Sequence, residues 1–111
     1  MAKLRVGVGG TVTQGTSKST AVTINAPCGQ ITTHAANLAA TTSVGFTVNC
    51  AYIDADDTIN LSMGSGGTAS SYVYMVDAVA AGSFIIHIRN VTAGGLAEAL
   101  VFNYSIIKNY F

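Results

Sequence analysis

"SVGFTVN", residues 43–49, puts Val44, Phe46 and Val48 on one side of a chain whose other side carries only small or polar residues. A period of two is the mark of a half-buried strand, because successive side chains of an extended chain point to opposite faces. "TINLSM" (58–63) repeats the pattern with Ile59, Leu61 and Met63, and "AVTIN" (21–25) and "CGQITT" (28–33) add Val22, Ile24 and Ile31. Turn-forming clusters separate these runs: "NAPCG", "DADD", "GSGGTASS", "AAG" and "TAGG". The alanine-rich stretch "HAANLAATTS" (34–43) is short and ends in three hydroxyl residues, which predicts a turn or one helical turn at most. Seven to nine short strands at this spacing predict an all-β, single-domain antiparallel β-sandwich with Greek-key or jelly-roll connections.

Three late segments depart from strict alternation. "SYVYMV" (71–76), "SFIIHIR" (83–89) and "ALVFNYSIIK" (99–108) are apolar on both faces or nearly so. In the second, Phe84, Ile86 and Ile88 oppose a face shared by Ile85, His87 and Arg89; in the third, Leu100, Phe102, Tyr104 and Ile106 oppose Val101, Asn103, Ser105 and Ile107. A small sandwich needs only one dry face per sheet, so apolar residues on the second face imply a covering loop or a neighbouring subunit. Charged residues make up only 9% of the chain, with five basic and five acidic side chains. So little charge protects poorly against association, and a symmetric oligomer is expected.

The same charge balance argues against nucleic acid, whose binding needs clustered Lys and Arg, and against an anionic membrane surface. No apolar run approaches the length of a spanning helix. "MAKLRVGVGG" is too glycine-rich for the apolar core of a signal peptide, so assembly in the cytoplasm is expected. Cys28 and Cys50 are then most simply reduced small hydrophobes, although a disulfide between them stays open.

"GGTVTQGTSKST" (9–20) has the ingredients of a phosphate loop. Its spacing fails, since Thr16 and Ser17 separate Gly15 from Lys18, and the strand-like "AVTIN" that follows offers no helix N-terminus to an anion. It reads as a polar turn. His34 and His87 lie in different segments, no nucleophile elbow surrounds a serine, and no close His/Cys pair suggests zinc. His87 reads as a surface or interface imidazole and His34 as a loop residue. The carboxylates Asp54, Asp56 and Asp57 of "DADD" read as a solvated turn in preference to a calcium loop, and Asp77 with Glu98 gives no positive sign of a glycosidase pair. "GSGGTASS" reads as a mobile hairpin tip. No enzyme, cofactor or metal is expected.

Read as a series, "GGTVTQGTSKSTAVTINAPCGQITTH", "LAATTSVGFTVN", "YIDADDTINLSM" and "VAAGSFIIHIRNVTAGGLAEALVFNYSIIK" resemble a small β-module of tailed-phage virion proteins. That module recurs as a stand-alone capsid-associated protein and as the terminal domain of longer tail proteins. The resemblance runs from about Gly9 to Lys108 through many short matches and rests on no catalytic motif. It implies that "TVTQGTSKST" is an entry strand and turn, with Lys18 solvated. Without an attached shaft or β-helix, it implies a capsid decoration (cement) protein on the exterior of the virion. Such a protein binds the major capsid protein as a homotrimer and ties capsomers together. The alternative is a receptor- or glycan-recognising knob associated with a phage tail fibre, although Tyr72, Tyr74 and Tyr104 fall at strand positions expected to be buried.

Within this reading, residues 9–111 form the sandwich and residues 1–8, "MAKLRVGV", form an N-terminal arm. The arm has strand alternation, with Leu4, Val6 and Val8 against Lys3, Arg5 and Gly7, and the glycines of "GVGG" supply a hinge. An isolated strand must add to a sheet edge, here of another subunit or of the capsid protein. Leu4, Val6, Ile85, His87, Val101 and Ile107 are the expected oligomer or capsid contacts.

Overall fold

The computed structural model describes residues 9–111; the arm, with Leu4 and Val6, lies outside them. Ten strands occur among the described residues: β1 (Gly10–Thr13), β2 (Val22–Thr23), β3 (Cys28–Thr32), β4 (Asn37–Leu38), β5 (Ser43–Asn49), β6 (Thr58–Ser65), β7 (Tyr72–Ala80), β8 (Ser83–Asn90), β9 (Leu96–Ala97) and β10 (Val101–Ile107). They form two four-stranded sheets, ordered β1-β3-β10-β6 and β2-β5-β8-β7, and a small β4-β9 pair. The architecture is the expected β-sandwich, with three differences.

The strands exceed the expected seven to nine because β4 and β9 are two-residue strands, too short to carry a periodic signal. The sheets are mixed, not purely antiparallel: β1 runs parallel to β3, and β2 parallel to β5. Parallel neighbours require a crossover, and the chain makes each one by passing through the opposite sheet; β2 lies between β1 and β3 in sequence. Finally, the alanine-rich stretch contributes β4, whose Asn37 and Leu38 pair with Ala97 and Leu96.

The alternating residues meet between the sheets as predicted. Phe46, Val48, Phe84, Ile86 and Ile88 project from one sheet, and Ile31, Phe102, Tyr104 and Ile106 from the other; all are buried. Tyr74 and Phe102 pack edge-on with ring centroids 5.3 Å apart, and Phe84 meets Tyr104 at 6.0 Å. Such aromatic pairs across a sandwich add orientation to apolar burial. The three tyrosines follow the alternation: Tyr104 is buried, and Tyr72 and Tyr74 pack half-buried against the core.

Two glycines hold close approaches. Gly29 lets β1 lie against β3, where a Cβ would sit 2.5 Å from the Gly10 carbonyl oxygen. Gly66, at φ 86°, turns where a Cβ would meet the Ala99 carbonyl oxygen at 2.1 Å. The "GSGGTASS" segment is therefore not a hairpin tip. It carries the chain from one sheet to the other, packs against residues 99–100, and is tied at Thr68 to the Glu98 carboxylate through both its N–H and its hydroxyl.

Candidate functional site

The opening loop gives the largest departure from expectation. Lys18 is buried, with 4% exposure, and is no solvated turn residue. Its Nζ donates to the carbonyl oxygens of His34, Ala36 (2.8 Å) and Glu98 (2.6 Å). Three converging acceptors match the three N–H donors of an ammonium. Burial pulls the Lys18 pKa below its ordinary 10.5, with the Glu98 carboxylate opposing that shift. Beside it, buried Gln14 donates to the Thr20 carbonyl at 2.8 Å and accepts the His34 N–H at 3.0 Å. The loop resembling a phosphate cradle is thus a polar plug. Its cation is spent on carbonyls from two other loops.

The acidic stretch is the expected turn between two strands, with Asp54 and Asp56 exposed, but Asp57 is buried in it. Lys108 Nζ donates to Asp54 (3.0 Å), to Asp57 (2.7 Å) and to the Tyr52 carbonyl. The Asp57 side chain is only 2% exposed and also accepts the Asp54 N–H at 2.8 Å. The hydrogen bond from Lys108, followed by that from Asp54, holds the Asp57 carboxyl below its usual range, while Asp57 raises Lys108. A carboxylate depressed in the folded state contributes stability that is complete above its unfolded value near 3.8 and is lost as pH falls through the folded value. Asp57→Asn is therefore expected to lower the urea midpoint at pH 7, with the deficit shrinking steadily below about pH 4. Midpoints measured between pH 7 and about pH 2 check this; a deficit independent of pH would show that the carboxylate charge is irrelevant to the clamp.

A third titratable cluster joins Glu98 to Tyr72, whose hydroxyl donates to the carboxylate at 2.6 Å. Hydrogen bonds from Thr68 and then Tyr72 lower Glu98, and burial followed by Glu98 raises Tyr72. Among the described residues no group of three or more His, Cys, Asp or Glu side chains is arranged to hold a metal. Cys28 and Cys50 are not joined in a disulfide; Cys50 is buried and Cys28 half-buried. His34 is a loop residue whose Nδ1 accepts the Ala36 N–H at 3.0 Å.

The expected contact residues fall on two opposite surfaces. Ile85 and His87 lie on the outer face of the β2-β5-β8-β7 sheet, since their neighbours Phe84, Ile86 and Ile88 fill the core. Val101 and Ile107 lie on the outer face of the other sheet, opposite inward Phe102, Tyr104 and Ile106. Ile85 and His87 are neighbours on their face, whereas Val101 and Ile107 stand at opposite ends of β10, so the four described contact residues do not form one patch.

The two faces differ in chemistry. Around Ile85 and His87 stand Val73 and Met75, 51% and 55% exposed, beside an open depression of about 290 Å³ lined by Ser43, Met75, Asp77, His87 and Arg89 among others. His87 lies against Gly45, where a Cβ would come within 2.8 Å of its ring, and Nε2 stands 3.4 Å from Asp77 Oδ2. The opposite face is a field of hydroxyls and amides. One register row runs Thr11, Gln30, Asn103 and Ser62, with Gln30 donating to Asn103 at 3.2 Å, and a shallow groove of about 430 Å³ follows Asn60, Ser62, Asn103 and Ser105. Val73 and Met75 belong to the "SYVYMV" run already noted as two-sided. Their prominence at an edge could not be read before the strand order was known.

No protein-family profile, curated protein or solved structure matches this chain.

Proposed function

We propose that this chain is a structural virion protein, a capsid decoration protein. It binds the outside of an assembled shell through the major capsid protein, associates as a homotrimer, and adds mechanical strength to capsomer contacts. The observation that carries the reading is the outer face on which exposed Val73 and Met75 lie opposite Arg89 and His87, with half-buried Ile85 next along β8. An open face of this kind suits a broad protein surface, because contiguous exposed apolar groups are covered by partners in soluble assemblies. The resemblance of residues 9–108 to phage virion modules supplies the kind of partner. Repetition supplies the effect: a modest interface used at every equivalent site stabilises a shell by mass action and multivalency.

A second reading has its own support. The hydroxyl and amide rows of the opposite face offer neutral donors and acceptors in a groove, the chemistry of glycan recognition by a tail-associated knob. Copy number separates the two. Quantitative mass spectrometry of purified particles is expected to find copies commensurate with capsomers; a count commensurate with tail fibres would sink the decoration reading and favour the knob.

A further inference from the structure

We propose that the open edge of β7 pairs with the same edge of a second copy of this chain, antiparallel and across a two-fold axis through Tyr74. This contact is independent of shell binding.

β7 is the longest strand described, nine residues, and it is last in its sheet. Long edges are ordinarily blunted by lysine, proline or a covering loop. β7 contains neither Lys nor Pro and has one charge, Asp77. Its bulge between Asp77 and Ala80, with Ala78 at φ 49°, ends the regular edge and leaves 72–77 straight.

Hydrogen-bond parity identifies which main-chain groups face outward. The Val91 N–H donates to the Ser71 carbonyl at the mouth of the β7–β8 ladder. On the other side of β8, the Asn90 N–H donates to the Thr42 carbonyl and the Cys50 N–H to that of Gly82, so even-numbered β8 residues bond toward β5. Antiparallel bonding alternates, so Val73, Met75 and Asp77 bond to β8. Tyr72, Tyr74 and Val76 consequently direct their N–H and C=O groups to the open edge.

A two-fold at Tyr74 makes these groups mutually complementary. Tyr74 meets the partner's Tyr74, and Tyr72 meets the partner's Val76, so all three outward-facing residues of each copy are used. On the outer face, Val73 falls opposite the partner's Met75 in a close, non-hydrogen-bonded pair, so the two exposed large apolar side chains of the strand pack flank to flank while the face itself stays open. Asp77 falls opposite the partner's Ser71, so no like charges face each other. Centring on Met75 would set Val73 against the partner's Asp77 and push Tyr72 into the bulge. Tyr74 is a firm centre because its ring packs on Phe102 and its hydroxyl accepts the Met63 N–H at 3.2 Å. The contact is isologous and closes after two copies, so together with the proposed trimer it gives a hexamer of two trimers.

Val73→Cys and Met75→Cys variants test the register, both at exposed positions that spare the core. Mixed and mildly oxidised, with wild type treated in parallel for the native thiols, they are expected to form a covalent heterodimer. Opposed Cα atoms lie about 4.5 Å apart in such a pair, within disulfide reach. Neither variant alone should cross-link through the new thiol, because its own copy sits diagonally, at about 7–8 Å. Absence of the heterodimer, or efficient linking of Met75→Cys to itself, overturns the proposal. Light scattering gives a second measure: wild type should contain an even number of chains and Met75→Lys half that mass. An odd number in wild type, or a mass unmoved by the lysine, also overturns it.

Discussion

Lys18→Met should lower folding stability by about 3 kcal/mol, a fall of roughly 15 °C in melting temperature for a domain of this size. Methionine keeps an unbranched apolar stem and so fills most of the volume. It supplies no donor, leaving the carbonyls of His34, Ala36 and Glu98 facing an apolar group. A hydrogen bond from a charged donor contributes about 1.5–3 kcal/mol, and three that share one ammonium are not additive, so the loss is set nearer one strong bond plus a residue of the others. Lys18→Arg should not restore stability, because a planar guanidinium cannot direct three donors to one converging set of carbonyls. Urea unfolding of the three proteins checks this. A Met variant within about 0.5 kcal/mol of wild type would mean that water enters and solvates the carbonyls, as at a surface site.

Lys18 also marks where sequence reading stopped. The run around Phe46 declared its inward face through period two alone, and Phe46 and Val48 lie in the core. Alternation is a local property, fixed by the geometry of one extended chain. The partners of Lys18 lie 16, 18 and 80 residues away, and nothing local distinguishes a lysine that reaches them from one that reaches water. Composition even argued for the wrong side, since "GTSKST" is hydrophilic throughout. Asp57 and Lys108 are separated by 51 residues and were hidden in the same way. The contact residues were half legible: two-sided apolarity correctly placed Ile85, Val101 and Ile107 off the core. That they fall on two separate faces could be known only once β8 and β10 were placed in different sheets. The parallel pairing of β1 with β3 was illegible for a related reason, as the direction of pairing depends on the intervening crossover and not on either strand's pattern.

Asn90 is the second position where a large effect is expected, and here the substitute matters as much as the loss. Asn90 is fully buried at the end of β8. Its Nδ2 donates to the carbonyls of Leu38 and Gly94, both at 2.9 Å, and its Oδ1 accepts the Thr92 N–H at 2.9 Å and the Thr92 hydroxyl at 2.7 Å. Two donors and two acceptor sites are all that a primary amide has, and all are used. The residue thereby fastens the loop after β8 to the strand β4 and holds the small β4-β9 pair against the sandwich. Asn90→Ala should cost about 2 kcal/mol, the penalty of leaving buried carbonyls and an amide unpaired. Asn90→Asp is nearly the same shape and should cost more at pH 7, because its carboxylate would face the Leu38 and Gly94 carbonyls with no hydrogen to give. Lowering the pH protonates that carboxyl and restores one donor, so the Asp variant should recover relative to the Ala variant as the pH drops toward about 4. Urea midpoints of the three proteins at pH 7 and pH 4 decide the matter. An Asp variant as stable as wild type at neutral pH would mean that the Nδ2 bonds contribute nothing and that Asn90 is retained for its acceptor oxygen alone.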